Sequence, residues 1–241
     1  MGLIALAIAP GLVICLFIYL KDKYDREPLF LLLLAFMLGV LSIIPALVIE
    51  LVVGKPITAL MPGSVLYTAI YAYLVVGLSE EGSKFLMLRW YAYPRKSFDE
   101  PFDGILYSVM IGMGFATIEN VGYVLQHGIG TGIVRMFLSV PGHATFAVLM
   151  GYYVSLAKLD ESKRGWYFFL GIFWAVVFHG TFDYFLMQGV TWLHIVGALA
   201  SFIIGMKLSL RAIRRKQLYS QRFFEGKDSL EEEEHSLFRK L

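Results

Sequence analysis

Apolar residues run in long unbroken stretches along this chain, and polar residues collect in the short gaps between them. Seven stretches are long enough to cross a hydrocarbon core, which needs about 20 apolar residues in helical form. They cover residues 2–20, 29–53, 65–90, 104–125, 133–157, 166–187 and 191–210. The pattern predicts an all-α polytopic membrane bundle of about seven transmembrane helices. The sixth and seventh, separated only by residues 188–190, form a tight hairpin. Tryptophan and tyrosine near the ends (Trp90, Tyr91, Tyr93, Trp166, Tyr167, Trp192) fit interfacial belts.

The gaps set the orientation. The first, third and fifth connections carry Lys21/Lys23/Arg26, Arg95/Lys96 and Lys158/Lys163/Arg164, and the C-terminal segment adds Lys207, Arg211, Arg214, Arg215 and Lys216. The second has only Lys55, and the fourth and sixth have none. Basic loops stay in the cytoplasm, so the N-terminus is expected outside and the C-terminus in the cytoplasm. No basic region precedes the first apolar stretch, which reads as an uncleaved helix. The expected organisation is a membrane domain over 1–212 and a polar cytoplasmic tail over 213–241, ending in the acidic run Glu231–Glu234 and resting its basic part on anionic headgroups.

Composition narrows the function classes. The chain is 58% hydrophobic and 17% charged, where a soluble domain has about 25% charged residues. The net charge of +2 gives no reason to expect nucleic acid as a partner. The single cysteine, Cys15, lies in an apolar run and supports neither a disulfide framework nor a thiolate metal site.

Ionisable residues inside the stretches carry the chemistry. The third has Glu80, Glu81 and Lys84; the fourth Glu119 and Asn120; the fifth His143; the sixth His179 and Asp183. Each charge at mid-bilayer costs about 2.5–3.5 kcal/mol on insertion scales, so these groups must face one another or water. Glu80 and Glu81 stand four and three positions before Lys84, on one helix side. His179 and Asp183 are four apart, so the aspartate can orient the imidazole. Glycines at 77, 82, 112, 114, 122, 142 and 180 let the helices approach. Glu50 and Arg89, near helix ends, read as snorkelling residues without a function.

Paired carboxylates with two histidines and a lysine suit hydrolysis. Two routes stay open. A metal, Zn²⁺ by ligand type, can be assembled between helices from His143, His179 and Glu119 or one of the earlier glutamates. Alternatively, Glu80 or Glu81 activates water directly while a histidine stabilises the oxyanion. Buried Glu, His and Lys also fit a proton-coupled transporter, and a non-catalytic scaffold or receptor is the third class.

Several short motifs together resemble the PrsW family of bacterial intramembrane proteases, within the wider group of CAAX-prenyl endopeptidases and bacteriocin-processing proteins. They are Glu80-Glu81-x-x-Lys84, Phe115-x-x-x-Glu119-Asn120, Pro141-Gly142-His143-Ala144 and His179-x-x-x-Asp183, with Ala9-Pro10-Gly11, residues 19–28 and residues 98–107. The similarity covers roughly residues 1–215. It implies a multi-pass protease of the bacterial plasma membrane making the first, extracytoplasmic-side cut in a single-span anti-sigma factor. Glu80, Glu81 and His179 would be functional, with Glu119 and His143 supporting; Lys84, Asn120 and Asp183 assist. The wider group usually carries a histidine where this chain has Glu119.

Overall fold

A computed structural model describes residues 2–60, 64–189 and 191–225 of the chain. These residues form helices and connecting turns, with no strand among them. Six described helices are long and apolar enough to cross a membrane by length and composition. Helix α1 spans Gly2–Lys21. The second stretch is two helices, α2 (Leu29–Leu41) and α3 (Ile43–Leu60), joined at Ser42. The third, α4, is helical over 65–92, but its hydrogen bonds widen to the i→i+5 pattern at Tyr71–Gly77 and Leu88–Ala92. Its central α-helical part is Leu78–Met87.

Helix α5 (Asp103–His127) is the axis of the bundle and is buried from Asp103 to Thr117. The expected span 133–157 is divided at Leu138 into a short helix, α6 (Ile129–Phe137), and the longer α7 (Ser139–Leu159). Helix α8 (Arg164–Met187) follows, and α9 runs from Trp192 to Phe224. Thus α9 continues past residue 212 without a break, with Ile213, Lys216 and Ser220 buried. The acidic run and the rest of the expected tail, 226–241, lie outside the described residues.

Side chains sort by solvent. Leu12, Val13 and Phe17 on α1, and Val48, Leu51 and Val52 on α3, are exposed, as on a lipid-facing surface. The inner core is aromatic at one end, where Phe98 stacks on Tyr107 with ring centres 6.0 Å apart. Tyr107 also donates its hydroxyl to Glu27 Oε2 at 2.7 Å. This ties the turn at 22–28 to the loop at 93–102.

Not every glycine does what its sequence position suggested. A Cβ on Gly114 would run into the Phe36 backbone carbonyl of α2, and one on Gly180 would strike the Tyr73 ring. At Gly82 and Gly122 a Cβ would meet nothing within 4 Å. Gly114→Val should therefore cost about 1–3 kcal/mol or more by overpacking, whereas Gly122→Ala should change stability little. Thermal unfolding in detergent would separate the two.

The turn–loop junction also buries carboxyl groups without cations. Asp22 (0% exposed), Glu27 (4%) and Glu100 (3%) lie there with no ion-pair partner among the described residues. Burial pushes the Glu27 carboxyl up to about 7 and, helped by neighbouring Asp22, the Glu100 carboxyl up to about 8. The folded state therefore holds these protons more tightly than the unfolded chain. That stabilisation is complete below about pH 4 and is lost as pH rises toward 8. Melting temperature should fall between pH 5 and pH 8.5, and Glu100→Gln should flatten the decline.

Candidate active site

The carboxylates and histidines of α4, α5, α7 and α8 meet inside the bundle. Lys84 is the hub. Its ammonium, 3% exposed as a residue, donates to Glu81 Oε1 at 2.7 Å and to Glu80 Oε2 at 3.2 Å. It also lies 3.2 Å from His143 Nδ1 and 4.0 Å from the centre of the Phe115 ring. Helical spacing places both glutamates beside the lysine. The two wide stretches of α4 bracket the turn that carries them, an arrangement common where a helix presents functional groups.

Hydrogen bonds fix the imidazoles. With the Lys84 ammonium at His143 Nδ1, that nitrogen accepts, so Nε2 carries the hydrogen and donates to Glu119 Oε2 at 2.9 Å. His179 donates from Nδ1 to Glu81 Oε1 at 2.8 Å. Its Nε2 faces Asp183 Oδ2 at 3.3 Å and Glu80 Oε2 at 3.9 Å. The expected His179–Asp183 contact is present, and Glu81 makes the shorter one. Phe146 stacks on His179 with ring centres 4.9 Å apart.

Two residues beyond the expected set complete the arrangement. Arg135, on α6, donates to Glu119 Oε2 at 2.7 Å and to Asn120 Oδ1 at 3.0 Å. Asn120 in turn donates to the Ala7 carbonyl of α1 at 2.9 Å. The signal for Arg135 was an arginine within the fifth apolar stretch. Glu50, read as a snorkelling residue, instead lines the cavity beside the site. The kink at Ser42 and the course of α3 bring it there, and neither is written in hydropathy.

The cavity has a volume of about 490 Å³, within the range typical of small-molecule sites. Its walls include Glu80, Glu119, Asp183, His143, His179 and Arg135, together with apolar groups such as Leu47, Phe115 and Phe182. Lys84 and Glu81 stand behind this wall, so Glu80 is the member of the glutamate pair that faces the open space.

The donor set fits a divalent cation. One ligand atom each from Glu80, Glu81, His143 and His179 lies within 4.8 Å of the others, and all four residues are buried. Glu119, the third ligand expected alongside the histidines, sits one contact further out, on His143 Nε2. Four carboxylates (Glu80, Glu81, Glu119, Asp183) against two permanent cations (Lys84, Arg135) leave two negative charges when both imidazoles are neutral. Nitrogen and oxygen donors with that residual charge suit zinc-type chemistry.

A helical bundle whose polar groups converge on an internal cavity, with a metal-compatible carboxylate–imidazole set, defines a membrane-embedded hydrolase. Residues 27–208 match the model for the family described as PrsW family intramembrane metalloprotease, and the chain belongs to that family. It is 37% identical over 196 residues to a protein named Protease PrsW from Geobacillus kaustophilus, covering 81% of this chain and 84% of that one. A Clostridioides difficile protein of the same name is 34% identical over 232 residues, 94% of this chain and 96% of that one. The Bacillus subtilis protein of that name is 34% identical over 194 residues, 80% and 86% of the two chains. No solved structure matches this chain significantly. The chain is thus a multi-pass intramembrane protease of the bacterial cell membrane, of a metalloprotease family, acting on membrane proteins.

Removing the hub should be costly. Lys84→Met leaves two buried carboxylates facing each other and should destabilise the fold by about 3–5 kcal/mol. Adding Glu80→Gln to it should recover part of that loss. Equilibrium unfolding of the two variants in detergent micelles measures both numbers.

Proposed function

We propose that this protease makes the first cut, on the extracytoplasmic side of the membrane, in a single-span anti-sigma factor, with Zn²⁺ as its metal. In this reading the N-terminus lies outside and the C-terminus, with a polar tail over 213–241, in the cytoplasm. The alternation of basic and non-basic loops supports that orientation. The names of the relatives and the internal site support proteolysis of a membrane-anchored substrate.

The division of labour between the two glutamates carries the mechanism. Glu80 faces the cavity, while Glu81 is bound by Lys84 and His179. Glu80 is the general base: it takes a proton from the attacking water and returns it to the departing amine. Glu81 orients His179 so that Nε2 points toward Glu80 and Asp183. Lys84 holds both glutamates ionised and at fixed spacing. Arg135 and Asn120 anchor Glu119, which holds the His143 ring in one orientation. His143 and His179, with Glu80 or Glu81 and with Glu119 within reach, are the residues that would hold the ion. A bound zinc supplies Lewis acidity, polarising the scissile carbonyl and acidifying water. Phe115, Phe146 and Phe182 limit bulk water around the reacting groups.

The test is cleavage of a tagged single-span anti-sigma factor in liposomes. Glu80→Gln and His179→Ala should each lower the rate by about 10²–10⁴-fold, the usual scale for a lost acid–base group. Glu81→Gln should also lower it by loosening His179. A strong chelator should stop the wild type and Zn²⁺ restore it. Cleavage that survives chelation but needs Glu80 would mean a metal-free, glutamate-activated water. Equal behaviour of all variants would remove the cluster from the reaction.

A further inference from the structure

Glu50 is a carboxylate on a membrane helix that the mechanism above does not use. It lies on α3, whose outer surface is exposed along Val48, Leu51 and Val52, and it turns inward to line the catalytic cavity. Its printed polar contact is weak: Ser79 Oγ lies 3.3 Å from Glu50 Oε1 and also donates to the Val76 carbonyl at 3.0 Å. A serine hydroxyl has one hydrogen, so it cannot serve both acceptors fully.

The other cavity carboxylates have charged or imidazole partners. Glu80 has Lys84, Glu119 has Arg135 and His143, and Asp183 has His179. Glu50 has no ion-pair partner among the described residues. The site already holds two negative charges beyond its permanent cations, and Glu50 adds a third. A divalent ion would offset the first two and leave this one. An ionisable group within a membrane span is expensive enough that it calls for a partner, and here the open side of the carboxylate faces the space that substrate enters.

We propose that Glu50 forms a subsite for a lysine or arginine side chain of the substrate, close to the scissile bond. The proposal rests on the protease reading and names the substrate class for that site. The ammonium or guanidinium supplies the missing countercharge, and its apolar stem lies along Ala46 and Leu47, which line the same wall. Since Glu80 and Glu50 share the cavity, binding a basic side chain at Glu50 also sets the register of the peptide against the catalytic carboxylate. Recognition of this kind acts through a charge-assisted hydrogen bond in a site of low dielectric.

The experiment uses full-length protein in liposomes and single-span peptides carrying one lysine moved through the positions around the cut, each with a glutamine counterpart. Binding of non-cleavable versions is measured by fluorescence, and turnover of the cleavable ones in parallel. At one position lysine should bind about tenfold more tightly than glutamine, the gain expected of a charged hydrogen bond. Glu50→Gln should bring that ratio near one, and Glu50→Lys should shift preference to a glutamate peptide. Binding ratios near one throughout the scan, or a lysine preference that survives Glu50→Gln, overturn the proposal and leave Glu50 as a pin between α3 and Ser79. The binding arm needs no cleavage: selective binding without turnover would retain the subsite while removing the protease reading.

Discussion

A charged group deep in a membrane protein is tolerable only when its partners are fixed. Lys84 meets that condition with two glutamates on its own helix and a histidine from α7. From this ammonium the polar network extends outward in two directions. Through Glu81 it reaches His179 and Asp183 on α8, and through His143 it reaches Glu119, Arg135 and Asn120 on α5 and α6. Asn120 carries it on to the backbone of α1. Five helices are thus held in register by one connected set of contacts. That set supplies what apolar packing alone lacks, because lipid is as good a solvent for leucine as a neighbouring helix is.

The same network keeps the acid–base group distinct from its supports. Two adjacent glutamates have similar chemistry in isolation. Helical geometry gives them different neighbours, so one is saturated with hydrogen bonds behind the wall while the other meets the cavity. The aromatic rings of Phe115 and Phe146 then enclose the lysine and His179 without competing for their hydrogen bonds.

The sequence was informative where the physics is local or where cost forces convergence. Hydropathy located the helices because the membrane demands length, and the i,i+3 and i,i+4 spacings placed Glu80 and Glu81 on Lys84. The expense of intramembrane charge brought His143 and His179 to the same centre. What hydropathy could not convey were breaks that preserve apolarity. The kink at Ser42 and the division at Leu138 leave the stretches equally hydrophobic yet redirect Glu50 and Arg135 into the site. The Glu81–His179 bond, across two helices, had no spacing signature at all. Composition likewise did not mark the end of the last helix, which keeps its hydrogen bonding through a basic segment to Phe224.

The wide stretch at Tyr71–Gly77 has a consequence for how this helix tolerates change in length. An i→i+5 turn accommodates one more residue than an α-helix over the same rise, as where the Leu78 amide reaches the Tyr73 carbonyl. Deleting a single residue there would let the backbone relax to ordinary α-helix. It would also rotate everything after it by about 100° relative to what comes before. Glu80, Glu81 and Lys84 would then leave the interior as a block or drag the first part of the helix around with them. The segment is a phase adjuster: it lets α4 present one face to its neighbours early on and another, bearing the reactive groups, a few turns later.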